Sequence, residues 1–456
     1  MIFKMIFSAA LLLSATVLQV QAQAPQQAMN RLPSAVGDAD YYDHGAPSDE
    51  KVSLGALLFW DKILSGNKNI ACASCHHSLT DTGDGLSLPV GEGGRGLGMA
   101  RDTGVGADGI HERVPRNAPP LWNLGARSMA FMFHDGRISA DAAQPSGFLS
   151  PAGDDLPVGL DNPLAVQAMF PVTSAAEMAG QAGENSIANA VANDNLAGPG
   201  GVWTQLAERL QGIPQYVDLF VNAFDDVSEA ADITYVHAAN AIAAYQASAF
   251  RADNSPFDKF LRGDGRAMSP MAKRGMRLFY GQAQCSSCHS GQFQTDMGFH
   301  AIAMPQIGNG KGNGLNGRDD FGRFNVSADM ADKYRFRTPP LRNVALTGPW
   351  GHDGAYNTLG GVVEHHLNAQ AALDNYATEQ AILPPRDDLD ALDFEIYNDD
   401  ESRAALAAAS EIEPVRLSER SLEDLMAFLY ALSDRDSADI RYTTPISVPS
   451  GLPLAD

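Results

Sequence analysis

The sequence predicts a mainly α-helical protein of two similar domains, with long irregular loops and little sheet. Three observations carry this reading: helical runs with few breakers, glycine-rich stretches between them, and a set of motifs that occurs twice in the same order. The chain has 456 residues, a length that favours two or three domains over one. Hydrophobic residues make up 45% of it, enough for packed cores.

The elements follow in order. Lys4 and the apolar run Met5 to Val20, closed by Val20-Gln21-Ala22, read as a secretory signal over residues 1–22. The run is short for a membrane span, and no later stretch reaches about 18 consecutive apolar residues. A protein exported to the periplasm, with no membrane span, is expected. Leu54–Phe59 and Gly275–Phe279 read as short helices, each leading into a pair of cysteines. Ala231 to Ala249 is rich in Ala and reads as one long helix. Ser421 to Leu432 reads as another, with Ser421 as N-cap and Asp424 three residues on. The glycine-rich stretches 83–109, 180–201 and 308–322 read as loops. Alternating runs are scarce, so sheet is expected to be small. The domain boundary is expected near Arg251–Pro256, dividing residues 23–250 from 251–456.

Lys plus Arg number 32 against 55 Asp plus Glu, a net charge of −23. So acidic a chain argues against nucleic acid and anionic lipid as partners. The acidic stretch Asp387–Glu401 reads as a solvated loop.

All four cysteines fall in two copies of one pattern, Cys72-Ala73-Ser74-Cys75-His76 and Cys285-Ser286-Ser287-Cys288-His289. Two residues between cysteines suit thioether attachment to the two vinyl groups of haem, and the next His then lies under the iron. Zinc ribbons pair such knuckles at about 15–20 residues; here they stand over two hundred apart. Disulfides do not require the trailing His, and a thioredoxin-like motif wants a βαβ context that is missing. Each haem motif is followed by Arg-x-x-Pro-Pro-Leu (Arg116–Leu121, Arg337–Leu341 with one residue fewer) and then His-Asp-Gly (His134–Gly136, His352–Gly354). Two homologous haem domains explain that order better than chance. The full expectation is a mainly α fold of two cytochrome-c-like haem domains.

These residues resemble the bacterial dihaem cytochrome c peroxidases and their relatives, including the methylamine-utilisation enzyme MauG. The resemblance runs from about Leu54 onward. It rests on Leu-Gly-x-x-Leu-Phe-x-Asp-x-x-Leu-Ser (Leu54–Ser65), Arg-Asn-x-Pro (Arg116–Pro119), Asp-Gly-Arg (Asp135–Arg137) and Glu-Met (Glu177–Met178). Further on come Pro-Phe-Asp-Lys-Phe-Leu (Pro256–Leu261), Arg-Thr-Pro-Pro-Leu-Arg-Asn-Val (Arg337–Val344) and Val-Pro-Ser-Gly-Leu-Pro (Val448–Pro453).

The resemblance implies a peroxidatic haem in the first domain, held by Cys72, Cys75 and His76. It implies an electron-transfer haem in the second, held by Cys285, Cys288 and His289. It matches Glu177 to the acid–base group that moves a proton between the peroxide oxygens. The spacing Gln167…Pro171…Glu177 fits the family without gaps. An ungapped match puts His366 at the sixth-ligand position of the second haem, where the family has Met or Tyr; His365 is the adjacent alternative. A second imidazole would lower the iron potential relative to a thioether. His134 stands where the family has an electron-bridging tryptophan, and Trp122 and Trp350 are substitutes to consider. His111 lies near the region where some members close the first haem. Calcium is implied at Asn117, Thr347 and Pro349, since all-oxygen ligation suits Ca²⁺. Implied partners are hydrogen peroxide and a small donor, a cytochrome c or cupredoxin. In a MauG-like alternative the partner is an oxidised protein substrate, and a third reading is a plain electron carrier. A homodimer is what the family suggests.

Overall fold

A computed structural model of the chain describes residues 32–106, 109–437 and 439–455; the signal expected at residues 1–22 lies outside them. Helices carry the architecture. Six of them position the sites: α1 (Asp49–Trp60), α2 (Cys72–Cys75), α3 (Tyr235–Ala249), α4 (Pro270–Phe279), α5 (Leu359–Leu367) and α6 (Glu419–Tyr430). Sheet is confined to short ribbons. β1 (Phe131–Met132), β2 (Ile138–Ala140) and β3 (Phe148–Leu149) form an antiparallel meander with Phe131 opposite Ser139 and Ser139 opposite Leu149. β4 (Phe299–His300) pairs antiparallel with β5 (Phe336–Arg337).

The same helix pair recurs in each half. α1 begins at Ser48, whose Oγ accepts from the Lys51 amide, with Asp49 and Glu50 in the first turn. α4 begins at Ser269, capping the Ala272 amide, with Pro270 as first helical residue. α1 crosses α3 at Gly55, and α4 crosses α6 at Gly275. A Cβ at Gly55 would stand 1.9 Å from the Ala241 carbonyl oxygen, and one at Gly275 would stand 1.8 Å from that of Asp424. Only a glycine lets these backbones approach so closely.

One core is built mainly from residues between Val36 and Ala252, but it also takes Phe293, Met297, Ile440 and Val448. A second runs from Phe257 to Leu432 and takes Leu88 from the first half. The two halves are therefore interleaved. At the seam, Arg116 is 5% exposed, bonding Asp135 Oδ2 at 2.7 Å and Asp320 through Nε at 2.7 Å and Nη2 at 2.9 Å. The β1–β2 hairpin carries His134, Asp135 and Gly136 to this seam. Gly136 has φ +66°, and a Cβ there would lie 2.3 Å from the Phe299 ring.

Local expectations need four corrections. The long helix starts at Tyr235, because Thr234 caps it and a 3₁₀ turn, Ala230–Asp232, precedes it. The last long helix is capped by Ser418, whose Oγ accepts from the Ser421 amide. The stretch 180–201 contains a helix, Ser186–Ala192, started by Asn185. Residues 387–401 are not a solvated loop: they hold the short helices Asp387–Asp390 and Glu395–Asn398 and the start of a third, Asp400–Ala409. Asp390 and Asp393 there bond the buried Arg113 guanidinium at 2.7 and 3.0 Å. That cation comes from the other half of the chain, so local charge could not show it.

Candidate active site

α2 is one helical turn that sets Cys72 and Cys75 side by side on the wall of a cavity. Burial pushes both thiols up to about 12. His76 follows, and its Nδ1 lies 2.8 Å from the Thr82 carbonyl oxygen. A carbonyl only accepts, so Nδ1 carries the hydrogen and Nε2 is left with its lone pair. Burial lowers the proton affinity of the ring, which keeps that lone pair available. Phe59, Ile70, Leu121, Val172 and Ile242 line the same cavity. Two thiols, a tautomer-fixed imidazole and apolar walls fit a flat, covalently tethered macrocycle.

Glu177 lines this cavity from a π-helical turn, Ala175–Ala179, where Ser174 Oγ caps the Glu177 amide. Such wide turns are rare and gather at functional sites. Two glycines clamp the turn against neighbouring backbone. A Cβ at Gly91 would stand 1.9 Å from the Ala176 oxygen, and one at Gly66 would stand 1.8 Å from that of Ala179. The Gly66 amide donates to the Met178 oxygen at 2.7 Å and the Glu92 amide to that of Ala176 at 3.0 Å. Burial raises the Glu177 pKa, opposed by the positive charges of Arg137 and Lys311. Burial is the larger effect, so this carboxyl holds its proton more tightly than an ordinary glutamate.

His134 also lines the cavity, its Nε2 3.1 Å from the Asn117 carbonyl oxygen. Burial, then the Arg116 charge, lowers its pKa to about 4, so it is neutral near pH 7. Its own carbonyl accepts from the Arg337 amide at 2.7 Å, which ties it to the second half. Trp122 is a core residue, 2% exposed, packed edge-on against Phe250. Trp350 donates its indole N–H to the Val344 carbonyl. His111 stays at the surface, 3.7 Å from Glu184, outside the cavity.

The second motif lies on a 3₁₀ turn, Cys285–Ser287, entered through Gln284 in the left-handed region. His289 Nδ1 is 3.2 Å from the Gln294 carbonyl oxygen, and the ring also bonds the Pro339 backbone. On α5, His366 Nδ1 lies 2.8 Å from the Val362 oxygen, and its ring faces His289 at 6.1 Å between centroids. Imidazole–metal bonds of about 2 Å on each side of one ion would place two rings at roughly this separation. His365 turns elsewhere: its Nδ1 meets Tyr356 Oη at 2.9 Å and its Nε2 meets the Ile302 oxygen at 2.7 Å. Both of its nitrogens are engaged, whereas His366 keeps one free.

Asn117 is buried, and its side-chain N–H₂ donates to the Leu86 and Ser87 carbonyls at 2.9 and 3.3 Å. Its Oδ1 is the remaining polar atom of the side chain. The sequence reading missed Lys311. It is a lone lysine in a glycine-rich loop of the second half, and no motif marks its arrival beside Glu177.

The family model described as di-haem cytochrome c peroxidase matches residues 49–266. Methylamine utilization protein MauG of Methylorubrum extorquens is 30% identical over 389 residues, covering 85% of this chain and 80% of that protein. Cytochrome c551 peroxidase of Pseudomonas aeruginosa is 29% identical over 327 residues, covering 71% and 73%. Among solved structures, a MauG-like protein associated with microbial copper homeostasis superposes with TM-score 0.57 at 24% identity, covering 91% of this chain and 96% of that one. The dihaem peroxidase BthA of Burkholderia thailandensis superposes with TM-score 0.54 at 20% identity, covering 86% and 88%.

Proposed function

This chain belongs to the di-haem cytochrome c peroxidase and MauG family, and we propose from that premise that Glu177 is the acid–base group of its peroxide site. The protein is a dihaem c-type peroxidase. When bound, the two haems supply the redox chemistry, one reducing peroxide and the other relaying electrons to it. Cys72, Cys75 and His76 would hold the first, and Cys285, Cys288, His289 and His366 the second. The free Nε2 atoms of His76 and His366 and the ring contact of His366 with His289 support that ligand set, and the engaged nitrogens of His365 argue against it as the sixth ligand.

Burial of Glu177 in the His76 cavity is the observation that carries the reading. Its carboxylate takes the proton from one peroxide oxygen and returns it to the other, which leaves as water. The positive charges of Arg137 and Lys311 favour the deprotonated form, against the larger effect of burial. The apolar wall excludes bulk water from that transfer. His134, at the tryptophan position of the family, lies between the first cavity and the Arg337 backbone and is our candidate for the route between haems. Residues 23–250 would form the peroxidatic domain and 251–456 the electron-transfer domain.

A net charge of −23 favours a donor with a basic docking face, such as a small cytochrome c or cupredoxin. The signal segment and the thioether motifs favour the periplasm. No helix among the described residues is long and apolar enough to cross a membrane. For calcium, Asn117 Oδ1 with the Thr347 and Pro349 carbonyls would give an all-oxygen donor set.

One observation favours the MauG-like alternative, oxidation of a partner protein. His111 stands at the surface beside Glu184, outside the His76 cavity, a position that would leave the peroxide face of the first haem open. One experiment tests both readings: add one equivalent of peroxide to the fully ferric protein, follow its Soret and near-infrared spectra, then add a reduced small cytochrome. Immediate reaction and turnover with the cytochrome are expected of a peroxidase with an open first haem. Reaction without turnover favours the partner-protein reading. Absence of any reaction refutes the open site.

A further inference from the structure

We propose that a second cavity, back to back with the His76 cavity, binds a small aromatic cation: an aryl ring carrying an ammonium group. None of the haem-binding residues or Glu177 lines it.

The first observation is its size and its walls. The cavity measures about 850 Å³, within the range of small-molecule sites. The inner wall is aromatic, made by the buried side chains of Trp203, Phe224 and Tyr235. Trp203 lies on the helix Val202–Gln211, and Tyr235 opens α3. These rings are held in place. Trp203 donates its indole N–H to the Met169 carbonyl at 2.8 Å, and Phe224 meets the His237 ring edge-on at 4.9 Å. Fixed aromatic faces suit a flat ring.

The second observation is charge. Asp161, Glu208 and Asp226 line the cavity against one ammonium, Lys51. Lys51 Nζ stands 3.6 Å from Asp161 and 4.8 Å above the Phe224 ring. Asp226 is also engaged. His237 Nδ1 accepts from the Thr234 amide at 3.0 Å, so the ring hydrogen lies on Nε2, 3.3 Å from Asp226 Oδ2. The Glu208 carboxylate makes no hydrogen bond or ion pair among the described residues. It stands on the same helix as Trp203. Ring faces and carboxylates both attract a cation and repel an anion. Lys51 shows the wall holding one cation already, and Trp203 with Glu208 is left for another.

The third observation is position. Asn240 of α3 accepts from the Asp161 amide at 3.0 Å and donates to the Gly159 carbonyl at 2.9 Å, which fixes the rim to that helix. Tyr235 borders both this cavity and the His76 cavity. A ring bound here is therefore one side chain from the peroxide site.

The test is calorimetric titration of the ferric holoprotein with phenyltrimethylammonium, a quaternary cation with no lone pair to offer haem iron. One-to-one binding is expected, with a Kd of about 1 mM or tighter. Tetramethylammonium lacks the ring, benzyl alcohol lacks the charge, and benzoate reverses it. Each should bind at least about fivefold more weakly. Glu208→Gln should weaken the probe by about fivefold. Lys51→Met removes the competing cation and should tighten it by a similar factor. Neither side chain is buried, so both variants should fold, with an unchanged thermal midpoint as the check. Should either misfold, the ranking of the four probes on the wild type decides the matter. Absence of binding overturns the proposal. So does equal binding of the alcohol or benzoate. Equal binding of tetramethylammonium marks attraction to the acidic surface alone and overturns it too, as does an affinity that neither substitution moves.

Discussion

Replacing Glu177 by Gln removes one proton site while conserving side-chain volume. The cavity has no evident substitute for that site. Its lining among the described residues contains no second carboxylate, and His134, with a pKa of about 4, is held against the Asn117 carbonyl. The variant should therefore lose the whole contribution of a positioned acid–base group, about 10²–10⁴-fold in kcat/KM for peroxide. At 1.36 kcal/mol per tenfold, that is about 3–5 kcal/mol of transition-state stabilisation. The assay is steady-state peroxide consumption with a reduced small cytochrome, on protein whose Soret spectrum shows both haems loaded. The pH profile adds a second arm. Burial raises the Glu177 pKa, and only the deprotonated form accepts the peroxide proton. The wild-type rate should thus fall as pH drops through a value above the ordinary glutamate range. Glu177→Gln should lack that limb. A fully loaded variant that loses less than about threefold, well short of the general acid–base range, refutes the assignment.

Three further outcomes follow from the packing and ligand geometry. Gly55→Ala and Gly275→Ala each force a Cβ to within 2 Å of a carbonyl across a helix crossing (1.9 and 1.8 Å), and each should cost about 1–3 kcal/mol by overpacking, read as a lower thermal midpoint. Arg116→Met leaves Asp135 and Asp320 buried without their shared cation and should cost about 3–5 kcal/mol, measured by denaturant unfolding. The Arg116 charge holds both carboxyls below their usual range. The wild type should keep this stability above the ordinary aspartate value of about 4 and lose it as pH falls through the depressed ones, whereas the variant should lose the Asp320 part of that dependence, Arg137 still pairing with Asp135. His366→Met should raise the potential of the second haem, since thioether replaces imidazole; an unchanged potential in spectroelectrochemical titration would remove His366 from the coordination sphere.

The duplicated motifs made the two-domain helical plan legible, because each motif residue has a local job. Gly55 and Gly275 permit helix crossings, and the two Cys-x-x-Cys-His turns carry their chemistry within five residues. Caps were less legible: Ser418 and Ser421 both suit an N-cap, and the choice depends on where packing begins. What could not be read was contact between distant segments. Lys311 beside Glu177 and Arg113 between Asp390 and Asp393 join residues more than a hundred positions apart. In sequence an ungapped match points to His366, with His365 as the adjacent alternative. They separate only once α5 fixes which ring turns toward His289 and which toward Tyr356.

The interleaving of the two cores bears on how the molecule is made. Ile440 and Val448 pack into the first core, and Ser450 Oγ donates to Asp61 Oδ1 at 2.6 Å, beside the phenol of Tyr216 on Oδ2. Asp61 directly follows α1, the helix that leads towards Cys72. During synthesis the segment around Cys72 emerges long before residues 440–450, so the first half stays open on one side until nearly all of the chain has been translated. Attachment machinery would meet the first thiol pair in an unsealed half-domain, and the late-arriving tail would close it afterwards. A chain cut after residue 437 should accordingly acquire its first tether yet remain sensitive to proteases in that half.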